Sequence, residues 1–305
     1  MKKSFRYKLK KYMPIYIMLL PGFLYLLINN YIPMGGILIA FKHMDYSKGI
    51  LGSDWSGLAN FEYLFKTPDA FRITRNTILY NGAFIISTMV MAIIFAILLS
   101  EIWSKRAVKF YQTVLLLPYM LSMIIVSYLA YSFLAGDTGL LNGVLERFGR
   151  EKVSWYSRPE YWPFILVIIN CWKTVGYSTV IYLASILGID GELYEAASVD
   201  GITKLQRIRY IMLPMIKPTI ITILLLNIGR IFYSDFGLFY QVPMSSGALM
   251  DATNTIDTYV YRGLISLGDV AMSSAAGVYQ SLVGFLLVLC ANWITKRYSS
   301  ENALF

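Results

Sequence analysis

The sequence has few charged residues, few cysteines and a single histidine, and these shortages exclude several classes of protein. Charged residues make up 15% of the 305 residues, whereas about 25% is usual for a soluble domain. Hydrophobic residues make up 57%, so the chain is better divided into membrane spans than into soluble domains. The two cysteines, Cys171 and Cys290, both lie in apolar stretches and are too few for a disulfide framework.

The sequence also has few residues of the kinds that carry out catalysis. An intramembrane hydrolase needs a nucleophile–base pair or a set of metal ligands, and the one histidine, His43, has no such partner in the sequence around it. The chain also contains no G-x-x-x-x-G-K-[ST] loop to bind the phosphates of ATP. We therefore expect a protein that is not an enzyme, has no metal site and cannot hydrolyse ATP itself.

Six apolar stretches are each long enough to cross a bilayer. They cover roughly residues 13–41, 76–99, 108–134, 161–187, 219–239 and 271–294. Six spans place both termini on one side, and the basic residues are densest in the short segments that would then face the cytoplasm. This scattering among short loops also argues against nucleic acid as the reason for the net charge of +9. We predict an all-α polytopic membrane protein with six transmembrane helices and cytoplasmic N- and C-termini.

Three longer polar segments, 42–75, 136–160 and 240–270, would then lie outside the cell. The first is expected to end in a short interfacial helix over about residues 60–75, just before the second span. The third is expected to be a loop.

A polar segment at 190–218 separates the fourth and fifth spans on the cytoplasmic side. The side-chain oxygen of Asp190 can cap a short helix. Gly201 can end that helix, because glycine adopts a left-handed conformation without steric cost.

A second short helix is predicted directly after this glycine. Thr203 and Gln206 have the spacing of a capping box. Pro214 and Pro218 are expected to stop the helix, because proline cannot donate a backbone hydrogen bond. The local prediction is therefore helix, glycine turn, helix, outside the membrane.

The same segment carries a specific motif. It reads E-A-A, three residues, G, nine residues, I, one residue, L-P, and it consists of Glu195, Ala196, Ala197, Gly201, Ile211, Leu213 and Pro214. Seven such matches at fixed spacing arise by chance on the order of once in 10⁸ start positions. The chain thereby resembles the permeases of ABC importers, whose EAA motif has this pattern.

The resemblance implies a type I ABC importer permease fold, with a five-helix core over residues 76–295. The cytoplasmic tail, first span and external loop would occupy residues 1–75, and a cytoplasmic tail residues 296–305. Within the core, segment 190–214 would contact the ATPase. The resemblance implies coupling contacts at Glu195, Ala196, Ala197, Gly201 and, as a weaker candidate, Asp200.

The resemblance also implies several partners in a bacterial cytoplasmic membrane. These are an ATPase dimer that holds ATP and Mg, a second permease subunit that is a different chain, an extracellular substrate-binding protein and the lipid bilayer. No cofactor is expected in this chain itself.

Seven polar residues within the predicted spans are candidates for the substrate path. They are Asn170, Lys173, Tyr177, Asn227, Arg230, Tyr233 and Asp235. Polar and charged side chains at membrane depth are costly and usually face a cavity or a partner. The alternative for Lys173 and Arg230 is snorkelling to the interface or a structural ion pair.

Four segments, 20–27, 39–42, 234–240 and 256–263, resemble carbohydrate-uptake permeases for oligosaccharides. In that picture Asp257, Tyr259, Tyr261 and Arg262 are candidates for docking the binding protein or for an external gate, although they could equally hold the loop together. The alternatives are an ABC permease for a non-sugar solute, a membrane channel or an intramembrane enzyme.

Overall fold

A computed structural model describes residues 5–298, and the backbone there is predominantly helical. The helices are α1 (Phe5–Leu26), α2 (Gly49–Gly52), α3 (Ala59–Lys66), α4 (Pro68–Ser100), α5 (Lys105–Met120), α6 (Met123–Leu134), α7 (Leu140–Arg147), α8 (Trp162–Leu187), α9 (Gly191–Val199), α10 (Lys204–Arg207), α11 (Leu213–Ile228), α12 (Phe236–Gln241), α13 (Met250–Thr253), α14 (Ile256–Ile265) and α15 (Val270–Tyr298). Tighter or wider helical turns cover Leu27–Tyr31, Ile32–Phe41, Trp155–Ser157, Pro159–Tyr161, Ile208–Met212 and Gly247–Leu249. Two antiparallel strands of two residues each, β1 (Lys42–His43) and β2 (Asp54–Trp55), place Lys42 opposite Trp55. The all-α prediction is confirmed.

Within the described residues, five helical spans are long and apolar enough to cross a membrane. They are Lys11–Phe41, Pro68–Ser100, Pro159–Leu187, Lys204–Ile228 and Val270–Arg297. A sixth consists of α5 and α6 together, bent by 96° at a short break. Five of the six predicted spans are matched by such helices, and the third is a bent pair instead of the continuous helix that we predicted over 108–134. Lys2, Lys3 and most of the predicted C-terminal tail, residues 299–305, lie outside the described part.

The break in the third span has identifiable causes. Pro118 lies in the last turn of α5, and Ser122 starts α6 by accepting a hydrogen bond from the Ile125 N–H at 3.4 Å. A serine cap begins a new helix rather than extending the old one. Our sequence analysis did not identify Ser122 as the start of a second helix.

The second span begins earlier than predicted. Helix α4 starts at Pro68, because proline fits the first turn of a helix, where no backbone donor is needed. The interfacial helix predicted over 60–75 is instead α3, which ends at Lys66. The boundary that we drew between residues 75 and 76 therefore falls inside α4.

The predicted bounds of the fifth span were wrong at both ends. Pro214 and Pro218 do not stop a helix, because α10 continues through the π turn Ile208–Met212 into α11 with Pro214 in its first turn. The helix then ends at Ile228, eleven residues before the predicted 239. Residues 229–235, which we call the unwound segment, are non-helical and lead into α12.

The unwound segment is stable because side chains from three helices satisfy its backbone. The Asn81 side-chain amide donates to the Ile231 carbonyl at 2.9 Å, and the Gln280 amide donates to the Phe232 carbonyl at 2.6 Å. Asp257 accepts from the Ser234 N–H at 2.6 Å. Irregular backbone at membrane depth requires such partners, and they come from residues distant in sequence.

The predicted outer loop 240–270 is also more ordered than expected. It contains α13 and the ten-residue helix α14, whose N-terminus carries a capping box made by Thr255 and Thr258. This box lies inside a polar stretch that we had predicted to be a loop.

Three clusters of buried apolar side chains connect the spans. One surrounds Trp162 and Phe239 near the start of α8, and a second lies along α4 and α8 around Tyr182. The third joins α3 and α15 around Leu64 and Phe232. Helices α4 and α8 pack along each other over their length, and together they form one wall of the site described next.

Candidate functional site

Six of the seven predicted path residues line one cavity of about 390 Å³: Asn170, Tyr177, Asn227, Arg230, Tyr233 and Asp235. Its walls are α4, α8, the end of α11 and the unwound segment. The expectation that polar residues within spans would face a cavity thus holds for all but Lys173. The roles of these residues in transport stay a prediction.

The cavity contains further polar groups that the sequence did not reveal. Asn81, Thr88, Tyr119, Thr174 and Ser178 also line it. The hydroxyls of Thr88 and Thr174 lie 3.1 Å apart and bridge α4 and α8. A threonine in a strongly apolar span gives a weak signal by itself, because its hydroxyl can bond its own helix backbone.

Two tyrosines form an aromatic surface at this cavity. The rings of Tyr119 and Tyr177 are stacked, with centroids 5.0 Å apart and planes at 15°. Tyr119 belongs to the last turn of α5, just before the break, and Tyr177 to the middle of α8. The Tyr119 ring thus reaches the cavity from the end of α5, directly before the break.

The two charged residues of the cavity differ in their contacts. Asp235 caps α12, because its carboxylate accepts a hydrogen bond from the Leu238 N–H at 3.1 Å. The guanidinium of Arg230 makes no salt bridge or side-chain hydrogen bond with any residue that the structure describes. The structural ion pair considered for Arg230 is therefore not observed among residues 5–298.

Lys173 does not line the cavity, and its predicted place in the substrate path stays a prediction. Its ammonium group donates to the carbonyl oxygens of Pro118 at 3.4 Å and Tyr119 at 3.3 Å, and also to that of Leu121. The carbonyls at the end of a helix lack the usual intrahelical partners, and of these three the Pro118 carbonyl also accepts from the Leu121 N–H at 3.2 Å. Lys173 therefore caps a helix C-terminus at membrane depth, which is neither snorkelling nor an ion pair.

The four loop candidates lie on α14, where each makes internal contacts. Asp257 binds the Ser234 N–H and also accepts from the Gln280 side chain at 3.1 Å. The Tyr259 hydroxyl lies 3.5 Å from the Met272 sulfur. Asp257 thus fixes the unwound segment, and its predicted docking or gating role stays a prediction.

The other two loop candidates, Tyr261 and Arg262, belong to an aromatic cluster. Tyr261 packs against Phe236 at 4.6 Å and Tyr240 at 4.9 Å between ring centroids. Arg262 donates to the Asn254 side chain at 3.0 Å and lies over the Tyr240 ring. Burial lowers the pKa of Arg262. These contacts support the alternative that the residues hold the loop together.

The predicted coupling segment forms the helix–turn–helix expected from its sequence. Asp190 caps α9 by accepting from the Glu192 N–H at 3.0 Å, and Gly201 has a φ of +69°. Thr203 and Gln206 form the predicted capping box. The surface of this segment presents Glu195, Ala196, Asp200 and Gly201, whereas Ala197 is buried.

A salt bridge that we did not predict attaches this segment to the end of α4. Arg207 binds the carboxylate of Glu101, and Lys204 lies 3.8 Å from the same carboxylate. Arg207 also lies over the Tyr194 ring, at 5.7 Å from its centroid. Burial raises the pKa of the Tyr194 hydroxyl. A lone acid directly after a long apolar span was the available signal for this contact.

These residues surround a second cavity of about 480 Å³ on the side of the coupling segment. It is lined by the end of α4, the end of α8 and the start of the fifth span, including Glu101, Trp103, Tyr194 and Arg207. Among the described residues, no group of three or more His, Cys, Asp or Glu side chains could hold a metal ion.

Comparison with known proteins gives consistent matches. Residues 88–300 match the family described as "Binding-protein-dependent transport system inner membrane component". The chain is 36% identical to the polygalacturonan/rhamnogalacturonan transport system permease protein YteP of Bacillus subtilis (strain 168), over 94% of this chain and 89% of that protein. It is 27% identical to the arabinooligosaccharides transport system permease protein AraP of Halalkalibacterium halodurans, with the same coverage of 94% and 89%.

Solved structures agree with the sequence matches. The fold matches a chain of a bacterial ABC transporter involved in the import of the acidic polysaccharide alginate. The TM-score is 0.87 with 32% identity, over 96% of this chain and 98% of that one. A structure of the bacterial alginate ABC transporter in complex with an alginate pentasaccharide-bound periplasmic protein matches equally well, with a TM-score of 0.87.

Proposed function

The chain belongs to the family of binding-protein-dependent transport system inner membrane components, and we propose that it forms part of the membrane pathway of an ATP-driven importer of oligosaccharides. It is a multi-pass membrane permease with the type I ABC importer fold. The observation that carries the substrate proposal is the cavity of about 390 Å³, where stacked tyrosines lie beside amide, hydroxyl and charged side chains. Sugar rings are bound by aromatic faces together with polar groups that orient their hydroxyls.

The relatives support a saccharide as the substrate. Transport of polygalacturonan/rhamnogalacturonan, of arabinooligosaccharides and of alginate is named for three similar proteins. An external substrate-binding protein would deliver the sugar, as in the neighbouring structure with its periplasmic protein. The outer segments that contain α3, α7 and α14 would receive it.

ATP hydrolysis would take place on a partner ATPase dimer, which would hold ATP and Mg. The exposed Glu195, Ala196, Asp200 and Gly201, with the buried Ala197 behind them, would form the contact with this ATPase. Small side chains permit close approach of another backbone, and Glu195 supplies a directional charge. A second permease chain would complete the pathway, with both termini of this chain in the cytoplasm.

Uptake of labelled solutes by cells that lack this chain tests the proposal. We expect loss of uptake of an oligosaccharide from a panel that also contains monosaccharides and peptides, and recovery with the wild-type chain. Unchanged uptake of every saccharide together with loss of another solute would refute the oligosaccharide proposal and leave the family membership intact.

The coupling role is tested in the same cells with Gly201→Val. A β-branched residue is strained at a φ of +69°, so the turn should deform and uptake should fall. Gly191→Val is the matched control, because Gly191 lies in the same segment, its φ is not in the left-handed region, and a Cβ there would have no neighbour within 4 Å. Equal loss of uptake in both variants, at equal expression, would contradict a specific role for the turn at Gly201.

A further inference from the structure

The cavity holds one positive charge that no residue of the described chain neutralises. Of the two oppositely charged side chains that line it, Asp235 is engaged with the N-terminus of α12. Arg230 contacts neither Asp235 nor another acid within 4.0 Å among the described residues. Arg230 is exposed to the cavity, and a charged side chain at membrane depth usually faces a cavity or a partner.

The backbone next to Arg230 is also held in a fixed place. It lies in the unwound segment, whose carbonyls at Ile231 and Phe232 accept from Asn81 and Gln280. Four residues after Arg230, the Ser234 N–H is bound by Asp257. Three side chains from three helices thus fix the backbone beside the guanidinium. These contacts fix the point from which the Arg230 side chain reaches into the cavity, and the planar fork of a guanidinium matches the geometry of a carboxylate.

The stacked pair of Tyr119 and Tyr177 lines the same cavity. Its flat faces suit the apolar face of a sugar ring, whereas they offer nothing specific to a small inorganic anion. A ligand that satisfies both groups has a pyranose face and a carboxylate on one molecule.

We propose that Arg230 makes the pathway selective for oligosaccharides that carry carboxylates, that is, for uronate-containing chains. The proposal rests on the proposed function, because it assigns a substrate class to the same cavity. Arg230 reads the carboxylate of a sugar unit while the tyrosine pair contacts the ring. Asp235 opposes the binding of anions, so Arg230 has to outweigh it.

The test uses the complete transporter, with its ATPase, second permease chain and binding protein, reconstituted in proteoliposomes. The probes are labelled trigalacturonate and trimannuronate, each paired with its carboxyl-reduced trisaccharide of the same linkage. We expect at least one acidic probe to enter about tenfold faster than its reduced partner, since charge-assisted bidentate pairs are among the stronger contacts. To separate the permease from the binding protein, uptake is measured at saturating concentrations of the loaded binding protein.

Variants of the cavity then assign the preference to its side chains. Arg230→Gln is expected to abolish the preference, and Arg230→Lys to retain part of it. Asp235→Asn is expected to increase the preference, because it removes the opposing negative charge while the side chain still caps α12. Arg106→Gln removes an exposed arginine at the start of α5 that does not line the cavity, and it is the matched control. Assembly and basal ATP hydrolysis are measured for every variant, so that misfolding is recognised.

Two results would overturn the proposal. In one, the reduced probes enter as fast as the acidic ones. In the other, Arg230→Gln slows both kinds equally, which would indicate pairing of Arg230 with the second permease chain. Failure of wild type to import any saccharide, acidic or neutral, would instead refute the proposed function itself.

Discussion

Gly176 is the residue at which the packing of two spans leaves no room for a side chain. A Cβ added there would lie 1.8 Å from the Leu115 carbonyl oxygen, which belongs to the backbone of α5. Gly176→Ala should therefore separate α5 from α8 and cost at least about 1–3 kcal/mol, the usual range for overpacking. We expect a lower unfolding temperature of the purified transporter and a loss of uptake.

Gly82→Ala is the control for this substitution. Gly82 also lies within a helix, but a Cβ there would have no neighbour within 4 Å. Alanine is a better helix former than glycine by roughly 0.8–1 kcal/mol, so the unfolding temperature should stay the same or rise. Similar destabilisation by both variants would contradict the close approach of α5 and α8.

Single residues were predictable where one physical rule decided their place. Polar side chains in apolar spans must face a cavity or a partner, and Asn170, Asn227 and Arg230 do line one. Lys173 obeys the same rule through a different partner, the carbonyls of α5 more than fifty residues earlier in the chain. The sequence contains no local sign of that pairing, because it depends on where another helix breaks.

At the scale of elements, Lys173 connects the break in the third span to α8. Its ammonium group satisfies carbonyls of Pro118, Tyr119 and Leu121. Lys173→Met should cost about 1.5–3 kcal/mol, the usual contribution of a hydrogen bond with a charged group. The unfolding temperature should therefore fall. Uptake should fall as well, because Tyr119 would lose its fixed position at the cavity.

Lys217→Met provides the comparison for Lys173→Met. Lys217 is an exposed residue of α11, so its replacement should change the free energy of unfolding by no more than about 0.5 kcal/mol. A Lys173→Met transporter as stable as the Lys217→Met one would show that the ammonium does not hold the break together.

The salt bridge between Glu101 and Arg207 joins the end of α4 to the coupling segment. Both side chains are 26% exposed, so solvent should screen the attraction between the two charges only partly. We therefore expect the pair to transmit movement of the segment to the membrane helices. Glu101→Arg and Arg207→Glu should each reduce uptake, because each places like charges together. The double variant should recover part of it, with an interaction free energy of about 1 kcal/mol or more.

Arg209→Glu makes the same charge change on the same segment, but Arg209 is exposed and lies over the Tyr210 ring instead of near Glu101. Its effect should not be repaired by Glu101→Arg. Recovery of uptake in that combination would point to net charge and not to the Glu101–Arg207 contact.

Elements differ in how far the sequence could define them. The caps of α9 and α10 were predictable because Asp190, Thr203 and Gln206 act within three residues of their targets. The end of the fifth span was not predictable, because residues 229–239 are apolar enough to continue a helix. The unwound segment exists because Asn81, Asp257 and Gln280 supply hydrogen bonds across the fold, and a scan along one chain does not detect such partners.

For the whole molecule, the number of crossings depends on whether the bent pair α5 and α6 spans the membrane or returns to the side from which it entered. Two contacts decide this. The Glu101–Arg207 salt bridge requires the end of α4 and the start of the fifth span to lie on one side, and only α8 and the bent pair lie between them. The Tyr46 hydroxyl bonds the Gly268 carbonyl at 2.9 Å, which again requires an even number of crossings between the two. The bent pair therefore crosses, giving six spans.

Labelling of single cysteines with a membrane-impermeant maleimide tests this topology. In a chain with Cys171 and Cys290 replaced by alanine, Asp137→Cys should react in intact spheroplasts. Lys105→Cys and Asp200→Cys should react only after the membrane is disrupted, because short basic segments stay in the cytoplasm. Reaction of the Lys105 and Asp137 variants from the same side would mean that the bent pair is re-entrant. The Glu101–Arg207 salt bridge could then not form. Movement of the coupling segment would have to reach the cavity through other contacts.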